Sequence, residues 1–207
     1  EKVEKIEMGN RFHLLARRYF LGIGSKPEKD DPYRDRLDRW MEALEESFPI
    51  KIRYRYLPEY RLRMAGSHIR LEANFDLLMT DGNTIQVWDW KTGEAANRLP
   101  SGNGTDKRLE KSLQTMVYLF VLKEQSRLVT GRDTGCEKIS MHYWNPENEA
   151  VLSQIRYSSQ MHSRFGTLLE EKIAGINDYD YSGFGEKGCL KACGSCEFNI
   201  ICSRDIT

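Results

Sequence analysis

The sequence predicts an α/β domain with a cysteine-rich tail. Segments with apolar residues at helical spacing alternate with short runs in which apolar and polar residues alternate. Near the middle, Asp81-Gly82-Asn83 is a tight-turn signal joining two such runs into a hairpin. Four of the five cysteines fall in the last 19 residues. A chain of 207 residues is long enough for one sizeable core with a small appendage. The expected division is 1–183 for the folded domain and 184–207 for the tail.

Residues 1–21 carry Val3, Ile6, Phe12, Leu14, Leu15, Tyr19 and Phe20 at roughly helical spacing. Gly22 to Pro27 ends that helix and lacks the G-x-x-x-x-G-K-[ST] spacing of a phosphate-binding loop, so no ATPase motor is encoded. A second helix over Pro32–Ser47 places Leu37, Trp40, Met41 and Leu44 on one face. Residues 51–64, KIRYRYLPEYRLRM, alternate basic and aromatic residues, with Lys51, Arg53 and Arg55 on one strand face and Ile52, Tyr54 and Tyr56 on the other. Pro58 suggests an edge strand or two short strands. Two readings of this stretch stay open: a half-buried strand with a solvated face, or a phosphate-tracking edge using Arg53, Arg55, Arg61 and Arg63 beside stacking tyrosines.

The hairpin runs from His68 to Thr80 and from Thr84 to Lys91. Asp89 and Lys91 are two apart on a strand, so both side chains take one face while Trp90 takes the other. Asp76, on the partner strand, can reach the same face. Two carboxylates and an ammonium then converge on a sheet otherwise built from Phe75, Ile85, Val87 and Trp88. Buried charges are costly unless paired or bound to metal, and carboxylate oxygens suit a hard divalent cation. An ordinary hairpin would instead turn these groups to solvent.

Leu99–Gly104 reads as a loop, followed by a long helix over Asp106–Leu128 on which Gln114 and Tyr118 share a face. Strands are expected over 137–144 and 151–157, and a helix over 158–174. His142 and His162 lack partners at ligand spacing and are given no chemistry.

Phe75-Asp76, the hairpin, and Trp88-Asp89-Trp90-Lys91-Thr92-Gly93 together resemble the core motif of PD-(D/E)XK nucleases, and more narrowly the RecB-type exonuclease branch. Asn74 stands where that family often has glycine. Gly9-Asn10-Arg11-Phe12-His13 resembles the branch's G-x-x-x-H element, and Gln114 with Tyr118, about 23 residues past Lys91, its Q-x-x-x-Y pair. The resemblance implies a restriction-endonuclease-like core, a central mixed β-sheet flanked by helices. It implies Mg²⁺ or Mn²⁺ held by His13, Asp76, Asp89 and the Trp90 carbonyl, with Lys91 positioning water and Gln114 and Tyr118 orienting the strand. The implied activity is hydrolysis of single- or double-stranded DNA, most simply as an exonuclease, in repair, recombination or defence. A non-catalytic or partner-dependent subunit of a nuclease–helicase complex is the competing expectation.

Cys189, Cys193, Cys196 and Cys202 carry spacings that suit zinc or an iron–sulfur cluster, with free thiols as the third outcome. CRISPR-associated and AddB-type nucleases, which the tail resembles, hold a 4Fe–4S cluster on such a triplet plus an upstream cysteine. Here no cysteine precedes Cys136, so either Cys189 completes the set or an upstream segment does; the chain begins at Glu1, which leaves room for one. With 31 basic and 31 acidic residues the net charge is zero, so contact with nucleic acid must come from local patches. No signal peptide, transit pattern or membrane-spanning run is present, which leads to the expectation of a cytoplasmic protein without membrane contact.

Overall fold

The computed structural model describes residues 2–66, 70–92, 107–148 and 150–179. The chain divides into two compact units, 1–170 and 171–207. The first unit is α/β, built on a five-stranded sheet in the order β1-β2-β3-β4-β5. Its strands are β1 (Arg55–Ala65), β2 (Arg70–Thr80), β3 (Ile85–Trp90), β4 (Ile139–Asn145) and β5 (Ala150–Arg156). All neighbours pair antiparallel except β3 and β4, which are parallel. The sheet is therefore mixed, and the parallel pair requires the crossover that the helices between β3 and β4 supply.

Helices cover both faces. On one, α1 (Lys2–Phe20) and α2 (Arg34–Ser47) pack over an aromatic cluster that includes Phe12, Phe20, Trp40, Phe48, Trp90 and Trp144. Met8, Phe12, Leu15, Ala16 and Phe20 form the buried stripe of α1 at helical spacing. Ile6 and Leu14, counted with the apolar face from sequence, are exposed instead. At about 100° per residue each lies about 200° from Met8 or Phe12. Phe12 is fully buried against Trp40 and Trp144, and truncating such a ring costs on the order of 3–5 kcal/mol. That anchor fixes His13, the next residue.

On the other face, α4 (Leu113–Glu124) and α6 (Ser159–Asn177) cover Phe75, Leu78, Ile85, Val87 and Met141. The expected long helix is broken into α3 (Lys107–Glu110), α4 and α5 (Ser126–Thr130). Ser112 is extended and its side chain accepts from the Thr115 N–H at 3.2 Å, a cap that starts a new helix. Gly131, at φ +79°, ends α5 in the left-handed conformation open to glycine.

The edge position expected from Pro58 holds, since β1 is a single edge strand. It begins only at Arg55, so the two-face alternation does not extend over residues 51–54. There the Tyr54 N–H returns to the Lys51 carbonyl at 3.0 Å in a turn. Glu59 follows Pro58 with φ +49°, a left-handed conformation that costs a non-glycine residue roughly 1–2 kcal/mol. The four tail cysteines, His68 and the 99–104 loop lie outside the described residues. Among the described residues no helix is long and apolar enough to cross a membrane.

Candidate active site

The site grows from a local parting of strands. β2 and β3 pair from Thr80↔Ile85 to Leu77↔Trp88, and the paired positions stop there. One step on, the Trp90 N–H donates to Asp76 Oδ2 at 2.7 Å. A side-chain carboxylate thus takes the place of a ladder carbonyl, which brings Asp76 between the two strand ends. Beyond it, the Lys91 N–H bonds the Trp144 carbonyl at 2.8 Å and keeps that end of β3 on β4.

Two groups of side chains meet around this gap. In the first, His13 Nδ1 from α1 lies 3.4 Å from Asp76 Oδ1 and 3.6 Å from Glu59 Oε1. Glu59 faces Asp76 across the β1–β2 ladder, between the paired positions Pro58↔Leu77 and Tyr60↔Phe75. Asn74 Nδ2 donates to Glu59 Oε2 at 3.1 Å and orients it. In the second group, Lys91 Nζ stands 2.6 Å from Asp89 Oδ2 and donates to Gln114 Oε1 at 2.9 Å. Gln114 Nε2 donates to Asp89 Oδ1 at 2.6 Å and closes the triangle. The Tyr118 hydroxyl donates to the Asn74 carbonyl, tying α4 to β2 two residues from Asp76.

Electrostatics follow from this crowding. Burial pushes the Asp89 carboxyl up, and the nearby Asp76 charge adds to it, against the pull of Lys91. Burial alone would lower the His13 imidazole, but Asp76 and Glu59 overrule it and hold it raised, to about 10. A charged imidazole cannot ligate, so a cation entering between these groups displaces its proton. Tyr118 and Tyr143 are both pushed up to about 12, chiefly by burial, and stay neutral phenols near pH 7.

The first group has the donor chemistry of a divalent-cation site: two carboxylates and one imidazole whose ligand atoms all lie within 4.8 Å of one another. Bonds of about 2.1 Å in octahedral geometry put ligand atoms about 3.0 Å apart when adjacent and about 4.2 Å apart when opposite. The distances of 3.4 and 3.6 Å fall in that range. Asp89 Oδ2, buried and without a hydrogen bond of acceptable geometry, touches the Lys91 ammonium and keeps lone pairs to spare.

A family model described as the PD-(D/E)XK nuclease superfamily matches residues 1–203. The chain belongs to that superfamily. No curated protein matches the chain, and no solved structure does. PD-(D/E)XK nucleases use divalent metals, and among the described residues the His13–Glu59–Asp76 group is the cluster suited to one.

Of the residues expected from sequence, His13, Asp76, Asp89, Lys91, Gln114 and Tyr118 all come to the sheet's open end. Trp90 contributes its N–H to Asp76 while its indole is buried under α1 and α2. Asp89 contacts Lys91 and Gln114 and stands outside the close His13–Glu59–Asp76 group, though near enough to feel the Asp76 charge. The four arginines do not form one track. Arg53 sits beside Tyr54, Arg55 donates to the Val129 carbonyl, and Arg61 and Arg63 share Glu72.

Sequence reading passed over Glu59. It is the one acid in residues 51–64, directly after Pro58, and that isolation was the available signal. Gly9 also gains a role: a Cβ there would stand 2.7 Å from Thr92 Oγ1, so the absence of a side chain lets α1 seat against the segment that follows β3 and carries Lys91.

Proposed function

We propose that this PD-(D/E)XK protein is a Mg²⁺- or Mn²⁺-dependent deoxyribonuclease of the RecB type, acting as an exonuclease in DNA repair, recombination or defence. The observation that carries the reading is the junction of the His13–Glu59–Asp76 cluster with the Asp89–Lys91–Gln114 triangle at one parted strand end. Metal ligands and a positioned ammonium are what phosphodiester hydrolysis needs side by side.

In this reading His13, Glu59, Asp76 and Asp89 hold the ion, with the Trp90 carbonyl as a further ligand. A divalent ion there supplies positive charge to polarise the phosphate and stabilise the leaving oxygen. Lys91 orients the attacking water and eases loss of its proton. Gln114 holds Lys91 and Asp89 at fixed spacing, and Tyr118 braces the strand bearing Asp76. The cysteine tail is assigned a structural role, with a 4Fe–4S cluster or zinc on Cys189, Cys193, Cys196 and Cys202. A helicase or another repair partner would deliver the DNA, since the chain carries no motor motif.

The test is cleavage of end-labelled linear and circular DNA, single- and double-stranded, with Mg²⁺ or Mn²⁺, beside Asp89→Ala and Lys91→Ala. Metal-dependent cutting of linear DNA that both variants abolish is the expected result. Cutting of circles makes it an endonuclease. Activity that survives both substitutions overturns the site, and metal binding without cutting favours the partner-dependent reading.

A further inference from the structure

Away from the parted strand end, the sheet face that carries Trp88 and Trp90, opposite to that of Asp89, has a second concavity. It is a cavity of about 370 Å³, a size that suits a small organic ligand. Lys51, Arg53, Tyr54, Tyr56, Gln86 and Trp88 line it. Gln86 is four residues before Trp90, so roughly 13 Å of strand separates it from the metal cluster's end of β3.

Its lining combines aromatic walls with cations. No acidic residue is among the described residues that line it, in a chain whose total charge is zero. The walls are braced before any ligand arrives. Trp88 stacks on His142 at 4.3 Å and 17°, and its indole N–H donates to Gln86 Oε1 at 3.3 Å. The Lys51 N–H donates to the Tyr56 hydroxyl at 3.1 Å, which fixes the turn bearing Arg53. The Arg53 guanidinium lies 4.6 Å from the centre of the Tyr54 ring, beside the pocket. Flat apolar rings, two rim cations and one side-chain amide match the three parts of a nucleotide: a π-face, a phosphate and a hydrogen-bonding base edge.

We propose that this pocket binds an unpaired nucleotide of the nucleic-acid substrate, its base against Tyr54 and Trp88 and its phosphate on Lys51 and Arg53. A base stacked within a duplex cannot enter such a cavity, so the subsite selects single-stranded segments. The inference rests on the nucleic-acid substrate of the nuclease reading and is independent of its metal ligands.

Binding is measured on the full chain by fluorescence anisotropy in EDTA, where cleavage cannot interfere. The probes are a labelled single-stranded oligothymidylate, an equally charged abasic oligonucleotide and a blunt duplex. Wild type is expected to favour the base-bearing strand over both others. Tyr54→Ala weakens that strand roughly 5- to 100-fold and removes the preference over the abasic probe, while Tyr54→Phe keeps it. Arg53→Ala weakens base-bearing and abasic strands alike and lowers the salt slope by about one.

If Tyr54→Ala and Arg53→Ala bind as wild type does while wild type still cuts with metal, the subsite is refuted and the nuclease reading stands. If wild type neither binds nor cuts nucleic acid, both fall together. Loss of self-association in Tyr54→Ala, with oligonucleotide binding intact, gives the pocket to a second copy of the chain and refutes the proposal.

Discussion

Replacing Gly9 by alanine places a methyl carbon 2.7 Å from Thr92 Oγ1. An ordinary contact is about 3.4 Å or more, so α1 or Thr92 must give by about 0.7 Å. The next helical turn carries His13, and Phe12 beside it is locked in the core. Where the helix rather than Thr92 gives, the strain bears on the Phe12 anchor and displaces the imidazole that faces Asp76. Misplacement by about 1 Å costs on the order of 100-fold in rate, so a loss of roughly 10- to 100-fold is expected here. Stability should change little, because the roughly 1 kcal/mol that alanine gains over glycine inside a helix offsets the cost of the close contact. Single-turnover cleavage and urea denaturation read the two quantities separately. With Thr92→Ala in addition, the oxygen is gone and the remaining contact is the β-carbon at 3.8 Å, so the double variant should recover activity over Gly9→Ala. A Gly9→Ala protein with wild-type rate, or a double variant no better than the single, would refute the reasoning.

Glu59→Gln should lower Mn²⁺ affinity at least about tenfold by calorimetry with the fold intact. Glu59→Gly should lose the same affinity yet be more stable than Glu59→Gln by about 1 kcal/mol, since it relieves the φ of +49°. Gln114→Leu removes the donor to Asp89 Oδ1, a buried carboxylate, and should cost ~1–3 kcal/mol in urea denaturation as well as cleavage rate. For His142, burial lowers the imidazole to about 4 from an unfolded value of 6.5. The folded state resists the proton, so this contribution is fully present above pH 6.5 and is lost as pH falls toward 4. About 3 kcal/mol is at stake, and His142→Phe, which keeps a ring on Trp88, should lose that much less across the window when unfolding is followed against pH.

The parts of the site legible in the sequence are those set by local periodicity. Asp89 and Lys91 share a face because strand side chains alternate, and Gln114 and Tyr118 share one because a helix turns in 3.6 residues. Buried Leu37, Trp40, Met41 and Leu44 follow from the same rule on α2. What depends on pairing between distant segments was not legible. Glu59 meets Asp76 only through the β1–β2 register, which the periodicity within either segment does not fix. The parting of β2 from β3 at Asp76 is likewise a cross-strand event. The break at Ser112 was readable in principle, because a serine cap competes with helix continuation, but the apolar run after it masked the signal. Alternation misassigned residues 51–54 because a turn needs no period. The family motif supplied His13, whose partners lie on two other elements.

The central claim is that one divalent ion joins His13, Glu59 and Asp76 to Asp89 beside Lys91. Its most direct test is anomalous diffraction from crystals of the full chain grown with Mn²⁺. The account predicts a peak among these four side chains, within about 2.0–2.5 Å of their ligand atoms, that disappears in Asp76→Asn. A peak elsewhere, coupled with Mn²⁺-dependent cleavage that survives Asp76→Asn, would contradict it.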